Sequence, residues 1–249
     1  MIDKQKLSKL FTAALFDKDE GINQINFIQS RPFSEDTIYT WQIGYCPPHV
    51  QYRPFPFLKG RIIIPCYDVY GNLLSFFGRK IDQDSEKVLS FLLKEYEKGL
   101  DIFYHWDKAK WINEPYEKSK NLFGLNVNKK NILDNNYVII VEGNLDVISM
   151  YDHGIRNCVA TCGSQVFSYH HIALLLRYTD TIVIMSDRDE SGDKARVKIE
   201  EMLSLYTKNI YHFRLPDNQD PEDFIRTNNT DINKIIIDKI KNKEKEIIL

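Results

Sequence analysis

The sequence predicts an α/β fold: a mostly parallel sheet flanked by helices, preceded by a smaller, basic α+β subdomain. From residue 137 onward, short apolar runs alternate with helical patterns, as they do in parallel sheets. Strands are predicted at 137–142, 157–161, 181–186 and 210–215, and helices at 145–153, 168–178 and 191–207. Acidic residues follow three of the four strands. In a parallel sheet they would lie at one edge, beyond the carboxyl ends of the strands.

The N-terminal part has a different pattern. Apolar residues at helical spacing predict a helix over 7–15, and Ser34 is placed to begin a second helix that runs through Trp41. Residues 60–67 and 73–79 are typical of two strands joined by a glycine-containing turn. We further expect an amphipathic helix within 85–104 and a linker around 129–136.

Length and composition exclude several classes. With 249 residues, of which 43% are hydrophobic, the chain is long enough for one sizeable core or two small ones. Its four cysteines form no CxxC pair, so we expect small core residues, no zinc site and a reducing cytoplasm. Since no apolar run approaches 18 residues, no membrane partner is expected.

Charge is unevenly distributed although the formal net charge is only −2. Residues 53–80 carry five basic side chains against one acidic one, and residues 108–130 carry six lysines against two glutamates. The segment 137–249 is acidic, with 18 acidic and 14 basic residues. This asymmetry suits a polyanion on one side and a metal on the other, while ordinary solvated surface charge is the alternative.

Three acidic motifs supply the candidate chemistry: VEGNLD at 141–146, SDRDESG at 186–192 and DNQDPED at 217–223. Their converging carboxylates are those of Glu142, Asp146, Asp187, Asp189, Asp220 and Glu222. Crowded carboxylates repel one another and usually hold a hard cation, most often Mg²⁺. Each motif taken alone is weak, because acidic residues also cap helix N-termini. Together they indicate a metal-dependent phosphoryl-transfer site.

The E-G-x-x-D at 142–146 followed by D-x-D at 187–189 resembles the signature of the Toprim domain. Bacterial-type primases, topoisomerases, recombination-mediator proteins and certain nucleases share that domain. The stretches VEGNLDVISMYDHGIRNCVATCGSQ and LLLRYTDTIVIMSDRDESGDKA are most similar to the DnaG-type primases. The segments 27–47, 60–80 and 110–125 also resemble the primase core, which separates this family from the other Toprim proteins.

The resemblance implies a division into a template-binding subdomain at 1–130, a Toprim catalytic domain at 131–228 and a helical tail at 229–249. It also implies that a set of polar and basic residues contacts template and nucleotide phosphates. These are Arg61, Arg79, Lys110, Asn113 and Lys118.

The implied activity is synthesis of RNA primers from ribonucleoside triphosphates on single-stranded DNA, with Mg²⁺ or Mn²⁺. Asp187 and Asp189 are then metal ligands, and Asp220 and Glu222 are further ligands or support them. Glu142 is either a ligand or a general base, and Asp146 either binds the metal or orients its neighbours. A replicative helicase and a separate zinc-binding initiation factor are implied as partners in the cytoplasm of a bacterial or phage-infected cell.

The chain departs from the family in several places. We expect the family's zinc ribbon and helicase-binding domain to be missing, and residues 81–109 look like an insertion. Arg188 stands within the D-x-D, where it contacts a phosphate or points to solvent. A core this short suits a phage or other mobile element. A Toprim nuclease and a non-catalytic replisome DNA-binding factor are the competing hypotheses.

Overall fold

The chain divides into two compact units in the computed structural model, residues 1–66 with 73–116 and residues 67–72 with 117–249. The predicted helix within 85–104 and the two residues Arg188 and Asp189 lie outside the described residues. Those described are 3–17, 31, 33–47, 56–80, 109–163, 165–187, 190–216, 219–228 and 231–248.

In the first unit, the described residues form two α-helices and a four-stranded sheet. Helices α1 (Lys4–Leu15) and α2 (Glu35–Trp41) begin at the side-chain caps Asp3 and Ser34. The strands are β1 (Gly44–Cys46), β2 (Arg61–Tyr67), β3 (Leu73–Arg79) and β4 (Trp111–Asn113), in the order β1-β2-β3-β4. The predicted strands at 60–67 and 73–79 are therefore confirmed as β2 and β3.

Helix α1 packs closely on the sheet of this unit. Phe11 is buried and meets the ring of Phe76 edge-on, with 5.5 Å between the centroids. A Cβ atom at Gly44 would lie 2.5 Å from the carbonyl carbon of Phe11. The helix backbone can therefore approach β1 only because residue 44 has no side chain.

The second unit is built on a five-stranded parallel sheet, which confirms the predicted fold class. Its strands are β5 (Val138–Val141), β6 (Cys158–Ala160), β7 (Ile182–Ile184), β8 (Ile210–Arg214) and β9 (Glu246–Ile248), in the order β6-β5-β7-β8-β9. The helices are α3 (Leu125–Asn135), α4 (Asn144–Asp152), α5 (Tyr169–Leu175), α6 (Glu190–Leu203), α7 (Pro221–Thr227) and α8 (Ile232–Asn242).

The core of this unit lies between the sheet and its helices. Val138 and Ile140 of β5 and Ile182 of β7 are buried, and Leu175 of α5 and Leu203 of α6 pack in the same cluster. A parallel sheet covered by helices buries consecutive strand residues, so its strands are continuous apolar runs. That is the pattern from which the strands were predicted. Among the described residues, none of the helices is long and apolar enough to span a membrane.

The linker expected around 129–136 is wrong, because most of this segment belongs to helix α3. Its inward face includes Asn128, which is fully buried and donates from Nδ2 to the carbonyl oxygen of Cys158 at 2.8 Å. Ile132 packs into the core one turn later. A polar residue on the buried face interrupts the apolar periodicity, and for this reason the helix was missed.

The segment after 229 contains the expected helix, α8, and a strand that was not predicted, β9. Strand β9 pairs in parallel with β8, and Phe213 lies opposite Ile247. It has only three residues, and of these only Ile247 is buried. So short a run, beside charged residues, gives no strand signal.

Ile247→Ala should lower the free energy of unfolding by about 2–4 kcal/mol, because the side chain is fully buried and its loss leaves a cavity. Ile248→Ala is the matched control; this side chain is 67% exposed, so its loss should change stability by less than about 0.5 kcal/mol. Urea unfolding followed by circular dichroism measures both. Equal effects of the two substitutions would contradict the packing of β9 as a sheet strand.

Candidate active site

Three strand ends bring acidic side chains to one edge of the parallel sheet. Glu142 follows β5 directly, and Asp146 lies in the first turn of α4. Asp187 follows β7, while Asp220 and Glu222 lie at the start of α7, after β8. Because these strands are parallel, their carboxyl ends share one edge, where such folds bind their ligands.

Asp146 is the most constrained of these side chains. Its Oδ2 accepts a hydrogen bond from the backbone N–H of Gly143 at 2.9 Å, and its Oδ1 accepts one from the N–H of Glu222 at 3.2 Å. The residue is 8% exposed. One carboxylate therefore joins the turn after β5 to the first turn of α7. Of the two roles left open for Asp146, these contacts favour orientation of its neighbours.

The electrostatics identify which carboxylates lie together. Burial raises the pKa of Asp146 well above its ordinary value, and the charges of Asp187, Asp220 and Glu222 raise it further. The hydrogen bond from Gly143 acts in the opposite direction. Asp187, Asp220 and Glu222 are thus near enough for their charges to act on Asp146, and the individual roles of the six predicted carboxylates remain predictions.

The other acidic candidates have distinct surroundings. Asp220 is the N-cap of α7, and its carboxylate accepts from the N–H of Asp223 at 2.7 Å. Glu222 is buried. The backbone carbonyl of Glu142 accepts from the N–H of Cys162 at 2.9 Å, which ties the end of β5 to the end of β6.

Position 192 requires glycine for a steric reason. A Cβ atom there would lie 2.2 Å from the carbonyl oxygen of Asp187. Helix α6 therefore passes directly over the backbone of an acidic candidate, and no larger residue fits.

The donor chemistry fits a hard divalent cation. Carboxylate oxygens are the ligands such ions prefer, and a cation would offset the repulsion that adds to burial in raising the pKa of Asp146. Both oxygens of Asp146 already accept hydrogen bonds, and metal binding by Asp187, Asp220 and Glu222 remains a prediction. The described part of the chain, which does not include Asp189, contains no group of three or more His, Cys, Asp or Glu side chains that could hold a metal ion.

Four of the five predicted phosphate-binding residues belong to the first unit. Arg61 is 5% exposed and donates from Nη1 to the carbonyl of Ala109 at 2.9 Å. Arg79 is 6% exposed, and its guanidinium lies 5.3 Å from the ring centroid of Trp111. Both arginines therefore hold strand β4 and the residues before it.

The remaining two candidates of the first unit are more accessible. Lys110 is exposed, whereas Asn113 is half-buried and donates from Nδ2 to the carbonyl of Glu114 at 2.7 Å. Phosphate binding by the four residues remains a prediction.

Lys118, the fifth candidate, belongs to the unit that carries the carboxylates. Its Nζ donates to the carbonyl of Cys162 at 3.4 Å, and Cys162 in turn bonds to Glu142. The sequence reasoning missed His171, whose Nε2 lies 2.9 Å from the carbonyl oxygen of Lys118. A histidine inside a helical apolar pattern gives no sequence signal that separates it from the core.

Comparison with known proteins covers both units. Residues 139–225 match the family model described as Toprim-like. Curated DNA primases are similar to most of the chain: that of Staphylococcus epidermidis is 29% identical over 245 residues, covering 91% of this chain and 39% of the relative. That of Aquifex aeolicus is 30% identical over 170 residues, covering 67% and 30%. The chain thus spans well under half the length of these relatives.

Solved primase structures have the same fold. A DnaG catalytic core has a TM-score of 0.73 at 20% identity, covering 96% of this chain and 78% of that one. The zinc-binding and RNA polymerase domains of the Aquifex aeolicus primase give 0.68 at 22% identity, covering 97% and 62%. A DnaG catalytic domain bound to single-stranded DNA gives 0.72 at 20%, covering 94% and 79%. The Toprim-type fold expected from the sequence is confirmed.

Asp146→Ala should destabilise the protein by about 1–3 kcal/mol, because the buried N–H of Glu222 and the partly buried N–H of Gly143 lose their acceptor. Loss of the carboxylate also removes the unfavourable burial and repulsion that raise the pKa of Asp146, which offsets part of this cost. Asp134→Ala, at an exposed position of α3, is the control and should be nearly neutral. Thermal unfolding followed by circular dichroism measures both, and an unchanged Tm for Asp146→Ala would contradict this role.

Proposed function

Since this chain is a homologue of the DnaG-type primases and carries their Toprim-like domain, we propose that it synthesises short RNA primers on single-stranded DNA. The observation that carries the proposal is the carboxylate cluster around Asp146, at the carboxyl edge of the parallel sheet. The similarity to primases also covers the antiparallel unit, which a Toprim domain alone does not require.

The proposed reaction is nucleotidyl transfer. The 3′-hydroxyl of the growing primer attacks the α-phosphorus of an incoming ribonucleoside triphosphate, a phosphodiester bond forms, and pyrophosphate leaves. Bound Mg²⁺ or Mn²⁺ would acidify the hydroxyl and neutralise charge on the triphosphate.

Different residues of this chain are proposed to hold the cation, position the turn after β5 and bind the nucleotide. Asp187, Asp220 and Glu222, together with Asp189, hold the cation, and Asp146 keeps the turn after β5 in register with α7. Glu142 either completes the ligand set or accepts the proton of the hydroxyl. Lys118 binds a phosphate of the nucleotide at the same edge.

The template is proposed to bind through its phosphates to basic side chains of the first unit. Because Arg61 and Arg79 are buried, exposed lysines such as Lys110 supply most of this contact. A replicative helicase and a separate zinc-binding factor are proposed as partners for initiation. The proposed place of action is the cytoplasm of a bacterial or phage-infected cell.

The direct test is oligoribonucleotide synthesis on single-stranded templates with all four ribonucleoside triphosphates and Mg²⁺ or Mn²⁺, with and without a supplied primer. Wild type should extend the primer, and Asp187→Ala and Asp189→Ala should each reduce the rate by at least about 100-fold, the scale on which removal of a group that stabilises transition-state charge acts. Asp134→Ala should remain as active as wild type.

The outcomes separate the competing hypotheses. Metal-dependent cleavage of DNA without nucleotides, and no synthesis, would identify a Toprim nuclease. Template binding with neither activity would identify a non-catalytic replisome factor. Full activity of both aspartate variants would overturn the site assignment but leave the enzyme class standing.

Cation binding can be tested without activity. Mg²⁺ or Mn²⁺ at about 100 times its Kd should raise the Tm of wild type by about 5–10 °C, and EDTA should reverse the rise. Asp187→Ala should show a much smaller rise, because a ligand is missing. Thermal shift at constant ionic strength measures both, and an equal rise in the variant would contradict a cation at this edge.

A further inference from the structure

We propose that His171 is a positioning residue, which anchors the turn at Lys118–Lys120 so that the Lys118 ammonium is held at the carboxylate-bearing edge of the sheet. The inference rests on the proposed function, in which Lys118 binds a nucleotide phosphate. His171 itself contacts no substrate in this scheme.

The first observation is the hydrogen bond at the ring. Nε2 of His171 lies 2.9 Å from the carbonyl oxygen of Lys118. A carbonyl oxygen can only accept, so Nε2 carries the proton and donates it. The side chain is fully buried, and burial lowers the pKa of His171 below its ordinary value. Backbone hydrogen bonds at Lys118 and Asn121 act in the opposite direction, and the neutral form that burial favours retains the donor that this bond needs.

The second observation is that the same helix start holds the next residue of the turn. Ser168, the N-cap of α5, donates from Oγ to the carbonyl oxygen of Ser119. Its Oγ also accepts from the N–H of His170. Two consecutive carbonyls of the turn, those of Lys118 and Ser119, are thus bonded to the start of α5.

The third observation is a backbone pairing that holds the far side of the turn against the sheet. Phe123 pairs with Ala160 of β6 through two backbone hydrogen bonds, of 2.9 and 3.0 Å. The segment from Lys118 to Phe123 is therefore held at both ends. Since β6 is the first strand in the sheet order, this segment lies along its outer edge.

The fourth observation connects the anchored turn to the acidic edge. Lys118 Nζ donates to the carbonyl of Cys162, and the N–H of Cys162 donates to the carbonyl of Glu142. Cys162 has a left-handed backbone, with φ of +57°, which turns the chain sharply after β6. A continuous series of hydrogen bonds thus runs from His171 through Lys118 and Cys162 to Glu142.

The anchor matters because a lysine side chain is long and flexible. An ammonium group that has to find a phosphate from many rotamers loses conformational entropy on binding. With the backbone of Lys118 fixed on two sides, the ammonium remains within reach of the carboxylate edge. A nucleotide phosphate bound there would be held by the Lys118 ammonium, and a cation held by the carboxylates would supply further positive charge.

The experiment compares His171→Phe, His171→Gln and the neighbouring exposed residue as His170→Phe in the full chain. Phenylalanine fills the ring space without a donor, and glutamine retains a side-chain N–H. The first readout is the acetylation rate of Lys118 by an amine-reactive reagent, followed by mass spectrometry with Lys198 as internal reference. The second is steady-state primer extension, with KM for the nucleotide and kcat determined separately.

In His171→Phe, the reagent should acetylate Lys118 at least about twofold faster than in wild type. The KM of this variant for the nucleotide should rise about fivefold, the factor expected from loss of one ordinary hydrogen bond. Its kcat should remain within about twofold of wild type, because the chemistry at the carboxylates is untouched. His171→Gln should restore both values, and His170→Phe should leave both unchanged.

Unchanged acetylation and KM in a folded His171→Phe protein would overturn the proposal, as would a fall in kcat at constant KM. If the phenylalanine variant does not fold, Ser168→Ala removes the adjacent bond to the same turn. It should produce the same changes in smaller measure, and the absence of both would overturn the proposal. If wild type makes no product, the proposed function fails, and the acetylation rates alone decide whether His171 anchors Lys118.

Discussion

A carboxylate is buried among other carboxylates at Asp146, and two backbone N–H groups make this possible. Removing a charge from water and placing it near three like charges is unfavourable, and the raised pKa reflects this. The hydrogen bonds from Gly143 and Glu222 offset part of that cost, and each comes from a different segment. The arrangement of the acidic edge therefore depends on one side chain that joins the turn after β5 to helix α7.

Glycines allow close approach at two of the acidic residues of this edge. A Cβ atom at Gly143 would lie 2.6 Å from Oδ2 of Asp146, so the N–H that bonds to the carboxylate can approach only because the residue is glycine. Gly192 leaves similar room above the backbone of Asp187. The two glycines within the acidic motifs thus allow neighbouring groups to approach the backbone closely.

The sheet of the second unit could be predicted because buried parallel strands are continuous apolar runs, and the position of the carboxylates followed from strand direction alone. Strand β9 could not be predicted, since only Ile247 of its three residues is buried. Within the site, sequence order shows which acids share an edge, but not that both oxygens of Asp146 accept backbone hydrogen bonds. Likewise, the burial of Arg61 and Arg79 and the contact of His171 with Lys118 arise from tertiary packing, which no local pattern encodes.

The order β6-β5-β7-β8-β9 has a consequence for how the chain emerges from the ribosome. Strand β5 is synthesised first and lies between β6 and β7, so the sheet can grow outward from it in both directions as translation proceeds. Strand β8 then waits for β9, which follows only after roughly thirty further residues at ribosomal speed. Until β9 is added, one edge of β8 has no strand partner, and an unpaired edge is a place where another chain can add a strand.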